Sequence, residues 1–124
     1  MTIEKLIELD MAFCEATSRL KAQGWADFFL DNGTMLTKDG DNIVGESVIY
    51  ERMKAFLDKK GSSLLWSPEN GGISSAGDLG YTYGKYIRRY VNDVDATITE
   101  TGRYLTIWRK LAEGKYKVEV DMGN

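Results

Sequence analysis

The sequence predicts an α+β fold in which N-terminal helices pack on one face of an antiparallel sheet, and three observations carry that reading. Apolar residues recur at helical spacing over residues 2–22 and again from Glu46 to Lys60. Beyond Gly61 the texture changes: Thr, Ser, Tyr, Val and Ile dominate, and turn residues recur at hairpin intervals. Helices first and antiparallel strands after describe a layer of helices on one sheet face.

The first helix draws its stripe from Ile3, Leu6, Ile7, Phe13, Cys14, Thr17 and Leu20, with Thr2 as N-cap, Glu4 in the first turn and Gly24 as its stop. Trp25 to Leu30 is long enough for a further helical turn or two that tucks Trp25, Phe28 and Phe29 into the core. Thr34 to Thr37, the turn residues Lys38 to Asn42, and Ile43-Val44 read as a hairpin. The next helix uses Val48, Ile49, Met53, Phe56 and Leu57, and Gly61 stands where a C-cap belongs. Strands are expected near 64–68, 72–78, 80–91, 101–111 and 115–122. The turns between them are Asn70-Gly71-Gly72, Gly77 to Gly80, Asn92 to Asp95, and Ala112-Glu113-Gly114.

The 124 residues suit a single domain, residues 1–124, and the 43% hydrophobic and 28% charged content is that of a packed globular protein. The net charge of -3 comes without a basic face, which argues against nucleic acid and against a polybasic membrane patch. No apolar run approaches the ~20 residues that span a bilayer, so the chain reads as cytoplasmic. Cys14 is the one cysteine, so no intrachain disulfide forms. Histidine is absent altogether, which removes Ser-His-Asp and Cys-His nucleophile systems and any Cys/His zinc site. No metal site or cofactor is expected, and any general acid or base has to come from Asp, Glu, Lys, Tyr, Cys or a bound cofactor.

Several segments stand in an ordered series: Leu65-Trp66-Ser67-Pro68; Gly77-Asp78-Leu79-Gly80-Tyr81-Thr82-Tyr83-Gly84; Gly102 to Lys110; Gly114-Lys115-Tyr116-Lys117-Val118; and Asp121. In that order, behind two helices and a hairpin, they resemble the nuclear transport factor 2-like superfamily, in its branch of small domains related to ketosteroid isomerase and polyketide cyclases. The resemblance covers nearly the whole chain. It implies a cone, a strongly curved sheet closed by the helices around one apolar cavity, often in a homodimer. It does not imply one activity, since the fold hosts isomerases, lyases, cyclases, adaptors and oligomerisation modules. Where a ketosteroid isomerase carries its base, its helix-one tyrosine and its second acid, the resemblance places Thr37, Phe13 and Thr106, so that mechanism is not expected.

On the last strand, alternation puts Lys117, Glu119 and Asp121 on one face and Tyr116, Val118 and Val120 on the other. The plain reading is solvent against core; the resemblance instead implies that the face of Glu119 and Asp121 lines the cavity. By the same parity Tyr104, Thr106 and Trp108 share a face, as do Thr82, Gly84, Tyr86 and Arg88. The candidate ligand-binding set is therefore Tyr86, Tyr104, Trp108, Glu119 and Asp121, with Trp66 at the rim. Asp121 and Glu119 are the candidate acid/base groups, against the alternative that they form structural pairs with Tyr or Arg. Asp10 falls inside the apolar stripe of the first helix, where a carboxylate requires a partner. Three functions remain open: a domain binding a small, partly apolar ligand; a cofactor-independent isomerase, lyase or cyclase; and an interaction module whose outer sheet face, with Tyr81, Tyr83, Arg103 and Arg109, meets a partner.

Overall fold

A computed structural model describes residues 1–124. Helix α1 (Ile3–Leu20) begins where Thr2 caps it, the hydroxyl accepting from the Lys5 amide at 3.2 Å, and it buries Leu6, Asp10, Phe13 and Thr17 along one face. It stops at Lys21, whose positive φ of 58° turns the chain while its amide still reaches the Thr17 carbonyl. Gly24, the expected stop, instead lies within α2 (Ala22–Ala26), and a Cβ there would sit 2.1 Å from the Ala16 carbonyl oxygen. Its role is to let the two helices touch, not to end one of them.

Strand β1 (Phe29–Leu36) starts earlier than the alternation suggests and pairs with β2 (Asn42–Val44) as the predicted hairpin. Helix α3 (Glu46–Leu57) follows, burying Ile49, Met53 and Leu57. It ends three residues before Lys60, and the Ser62 hydroxyl donates to the free Leu57 carbonyl at 2.9 Å. The chain then forms β3 (Ser63–Ile73), β4 (Leu79–Val91), β5 (Thr97–Lys110) and β6 (Tyr116–Gly123).

Two features of the sheet depart from the sequence reading. Asn70-Gly71-Gly72 is not a turn, and 72–78 is not a separate strand: β3 runs on to Ile73, with Glu69 as the extra residue of a bulge after Pro68. Proline is tolerated here because β3 is an edge strand. Gly71 is required by contact, since a Cβ would meet the Tyr81 carbonyl oxygen at 2.0 Å. The sheet is also mixed rather than wholly antiparallel. Its order is β2-β1-β6-β5-β4-β3, and β1 runs parallel to β6. The segment holding α3 carries the chain to the far edge, three hairpins bring it back, and the last strand meets the first in the same direction.

The helices cover one face of this sheet, as expected of α+β. The centre of the core is Phe13, whose ring lies 4.7 Å from Trp25, 4.9 Å from Phe28 and from Trp66, and 5.9 Å from Trp108. One aromatic side chain thus joins α1, the α2 region and two strands. No helix is long and apolar enough to cross a membrane.

Because Gly24 touches backbone, and a backbone carbonyl cannot rotate away as a side chain can, Gly24→Ala is expected to destabilise the fold by about 1–3 kcal/mol. Urea unfolding measures it. An unchanged midpoint would show that the α1–α2 contact tolerates a methyl group.

Candidate functional site

The three central strands β4, β5 and β6 present their helix-side residues to a cavity of about 310 Å³ closed by α3 and the β1–β2 hairpin. That volume lies at the lower end of the range of small-molecule sites. Its apolar wall comes from Met35 on β1, Met53 and Phe56 on α3, and Leu64 on β3; its aromatic wall from Trp25, Trp66, Tyr86 and Tyr104. Thr37, Thr106 and Asp121 are the polar groups inside. Toward solvent stand Lys38, Asp39, Arg52, Arg88 and Glu100.

Asp121 reaches the cavity through an irregularity in β6. Trp108 pairs with Val118, and Ile107 with Val120, so Glu119 is an extra residue opposite a regular stretch of β5. A bulge reverses the parity of everything beyond it. Tyr116 and Val118 therefore face the core, and Asp121, on the opposite parity, faces inward as well, at 8% exposure. It pairs directly with Thr106, whose hydroxyl donates to its Oδ1 at 2.7 Å. Glu119 turns outward, where the Arg109 guanidinium binds it through both Nε and Nη2. Uniform alternation from Lys117 to Asp121 is thus corrected, and Glu119 does not line the cavity.

Trp108 also lies elsewhere than predicted. It shares a face with Tyr104 and Thr106, but it is fully buried one layer deeper, its indole donating to Thr82 at 3.0 Å and its ring against Phe13. Helix α1 fills the space over this end of β5, so Trp108 packs core rather than cavity. Tyr86, Tyr104, Trp66 and Asp121 come together at the cavity wall. Thr37 and Thr106 line it too.

Behind the wall lies Asp10, completely buried. Its Oδ1 accepts from the Trp66 indole and its Oδ2 from the Tyr104 hydroxyl, each at 2.7 Å. Burial raises its pKa, and these donors pull it back. Burial and the neighbouring Asp10 carboxylate push the Tyr104 phenol well above its ordinary value, so it stays protonated as a donor. Asp121 has a single donor, and burial pushes it up to about 7. At the solvent end, Arg88 is bound to Glu100 at 2.7 Å and stacks 4.1 Å over Phe56. Burial raises the thiol of Cys14, which accepts from the Trp66 amide.

The contributions of Met35, Met53, Phe56, Leu64 and Arg88 were not singled out from sequence. Their signal is spread over the α3 stripe and the strand alternation, which report that a residue faces inward but not whether it meets protein or open space. Asp10 did carry a local signal, an acid inside an apolar stripe.

No protein-family model matches this sequence, and no curated protein matches it significantly. Solved structures do match over nearly the whole chain. A ketosteroid isomerase-like protein from Erwinia carotovora atroseptica is 15% identical, with 94% of this chain and 91% of that one covered at a TM-score of 0.80. A nuclear transport factor 2-like superfamily protein from Salmonella enterica serovar Typhimurium is 15% identical, with 98% and 88% covered at 0.78. A protein from Catenulispora acidiphila in complex with S-DNPA is 14% identical, with 90% and 84% covered at 0.67. Other matches are described as having a cystatin-like fold. The chain accordingly has the nuclear transport factor 2-like, cystatin-like fold shared by ketosteroid isomerase-like proteins.

Proposed function

We propose that this protein binds a small, partly apolar molecule in the cavity between α3 and the sheet, touching Asp121, Tyr104, Tyr86 and Trp66. The observation that carries this reading is the arrangement of one incompletely satisfied, buried carboxyl group, Asp121, on an otherwise aromatic and aliphatic wall. A core built only for stability would fill such a space with side chains or replace the acid. The complex of the Catenulispora protein with S-DNPA supports it by analogy of fold.

A second reading, a cofactor-independent isomerase, lyase or cyclase, is favoured by one specific observation. Asp121 is buried on the cavity wall with one donor, Thr106, and burial pushes it up to about 7, where a carboxyl group can both give and take a proton. Tyr104, protonated and oriented by Asp10, would stand beside it as a hydrogen-bonding group. In this reading the substrate carries an acidic C–H or a leaving group next to Asp121, and Asp121→Asn abolishes turnover while binding persists.

The partner we propose is a second copy of the chain, meeting on the sheet face away from the helices. Leu65, Tyr81, Ile87 and Met122 are exposed there in two groups: Leu65 lies opposite Ile87, while Tyr81, opposite Ile107, and Met122, opposite Leu105, stand beyond the row of Lys85 and Arg103. Light scattering should then give twice the chain mass, and Ile87→Lys should halve it by placing a charge in the apolar part of the contact. A wild-type mass equal to one chain removes the dimer.

Ligand binding is tested by a thermal-shift screen of small apolar and amphipathic compounds. A compound raising the melting temperature of the wild type should fail to do so for Leu64→Trp, whose larger side chain occupies the cavity. Equal shifts for both proteins would place the ligand elsewhere.

The titration of Asp121 makes a separate prediction for stability. Its folded-state pKa of about 7 lies above the ordinary 3.8, so the unfolded chain releases this proton first. The contribution is fully present below about pH 4 and is lost as pH rises to about 7, a change on the order of a few kcal/mol. Asp121→Asn cannot ionise, and its unfolding free energy should lack that decline. Parallel pH curves for the two proteins would mean that Asp121 is ionised at neutral pH.

A further inference from the structure

The inner end of the cavity holds buried acid without any base. Asp10 and Asp121 are 0% and 8% exposed, and neither belongs to an ion pair; all such pairs lie among partly exposed side chains. Buried carboxylates are ordinarily matched by a cation or neutralised. Asp10 is satisfied on both oxygens by Trp66 and Tyr104. Asp121 accepts only from Thr106, through Oδ1, and its carboxyl group otherwise faces the cavity. Trp66, Tyr86 and Tyr104 line the same cavity, and aromatic rings attract a cation over their faces.

The cations nearer solvent do not answer this charge: no ion pair joins any of them to Asp121. Arg88 is bound to Glu100, and Arg52 to Asp41 at 3.2 Å, while Lys38 stands exposed on the hairpin turn and forms no ion pair. Two of the three cations at the solvent end are thus paired with acids, and the inner end is one-sidedly acidic and aromatic.

We propose that the ligand of this cavity is an organic amine, its protonated or quaternary nitrogen seated against Asp121 among Trp66, Tyr86 and Tyr104 and its apolar body against Met35, Met53 and Leu64. This rests on the pocket reading above and narrows it to one ligand class. The ammonium group supplies the counter-charge that no residue of the chain provides, and the aromatic wall replaces part of its hydration. A neutral carbonyl compound is the chemical rival, since it could accept a hydrogen bond from Asp121 in its protonated form.

The two ligand classes give opposite pH dependence. The groups that act on Asp121 are Asp10 from α1, which opposes its ionisation, and Thr106 beside it on β5, which favours it. Tyr104 stays protonated, and the charged groups toward solvent are Lys38, Asp39, Arg52, Arg88 and Glu100. An ammonium ligand needs ionised Asp121, so its affinity rises by up to about tenfold per pH unit toward neutrality and levels above it. A carbonyl ligand needs the protonated form, so its affinity is level up to about pH 7 and falls above it.

The test uses calorimetry on the full chain with two matched probes, naphthylmethylamine and the neutral ketone acetylnaphthalene, from about pH 5 to about pH 8. Expected is an affinity for the amine at least about tenfold above that for the ketone at the upper pH, rising with pH, with the advantage lost in Asp121→Asn. Should that variant not fold, the pH profile of the wild type decides alone. Equal or tighter binding of the ketone, or an amine affinity that does not change with pH, overturns the amine; if Leu64→Trp still abolishes that binding, the pocket itself stands. Binding of neither probe removes both readings.

Discussion

A carboxylate sealed inside the protein is the interaction on which the rest of the structure turns. Asp10 sits in α1 with no access to water, and a charged or even neutral carboxyl group there is tolerable only with its hydrogen bonds made. Its donors come from β3 and β5, the two strands that flank β4, so a single side chain holds the helix across three strands. The donors are also Trp66 and Tyr104, two walls of the cavity. Satisfying a buried acid and setting the orientation of the cavity-facing rings are therefore one act.

Around that contact the aromatic residues divide by depth. Phe13 gathers Trp25, Phe28, Trp66 and Trp108 into a packed layer, with Trp108 wholly enclosed. Only where α1 gives way to α3 and the short β1–β2 hairpin does packing stop short of the sheet, and there the same strands face open space. Trp25 and Trp66 belong to both regions, packing on Phe13 and lining the cavity. The stability of the core and the shape of the site are thus coupled through shared rings rather than through separate sets of residues.

The bulge at Glu119 sets the charge of the site. Without it, β6 would carry Glu119 and Asp121 on the same face; with it, one acid turns out to a bidentate pair with Arg109 and the other turns in, with Thr106 as its one partner. An outward pair half in solvent contributes little to stability. An inward acid without a base is unfavourable for the empty protein and favourable to any ligand that completes it, which is why its environment supports the functional reading.

Much of the fold was legible because local chemistry carries it. The helical period of Leu6, Phe13 and Thr17, the cap at Thr2, the turn residues after Leu36 and the change of texture beyond Gly61 all act over a few residues, and helices on one face of a sheet follow from them. Asp10 announced its need for a partner by its place in an apolar stripe. The role of Gly71, the parallel pairing of β1 with β6, the depth of Trp108 and the separation of Glu119 from Asp121 depend instead on residues far away in the chain. Alternation by itself determined that inward and outward faces exist on β6. Only the tertiary structure decided which acid is on which, because a bulge arises from how two neighbouring strands fit against the third, and no single strand contains that information.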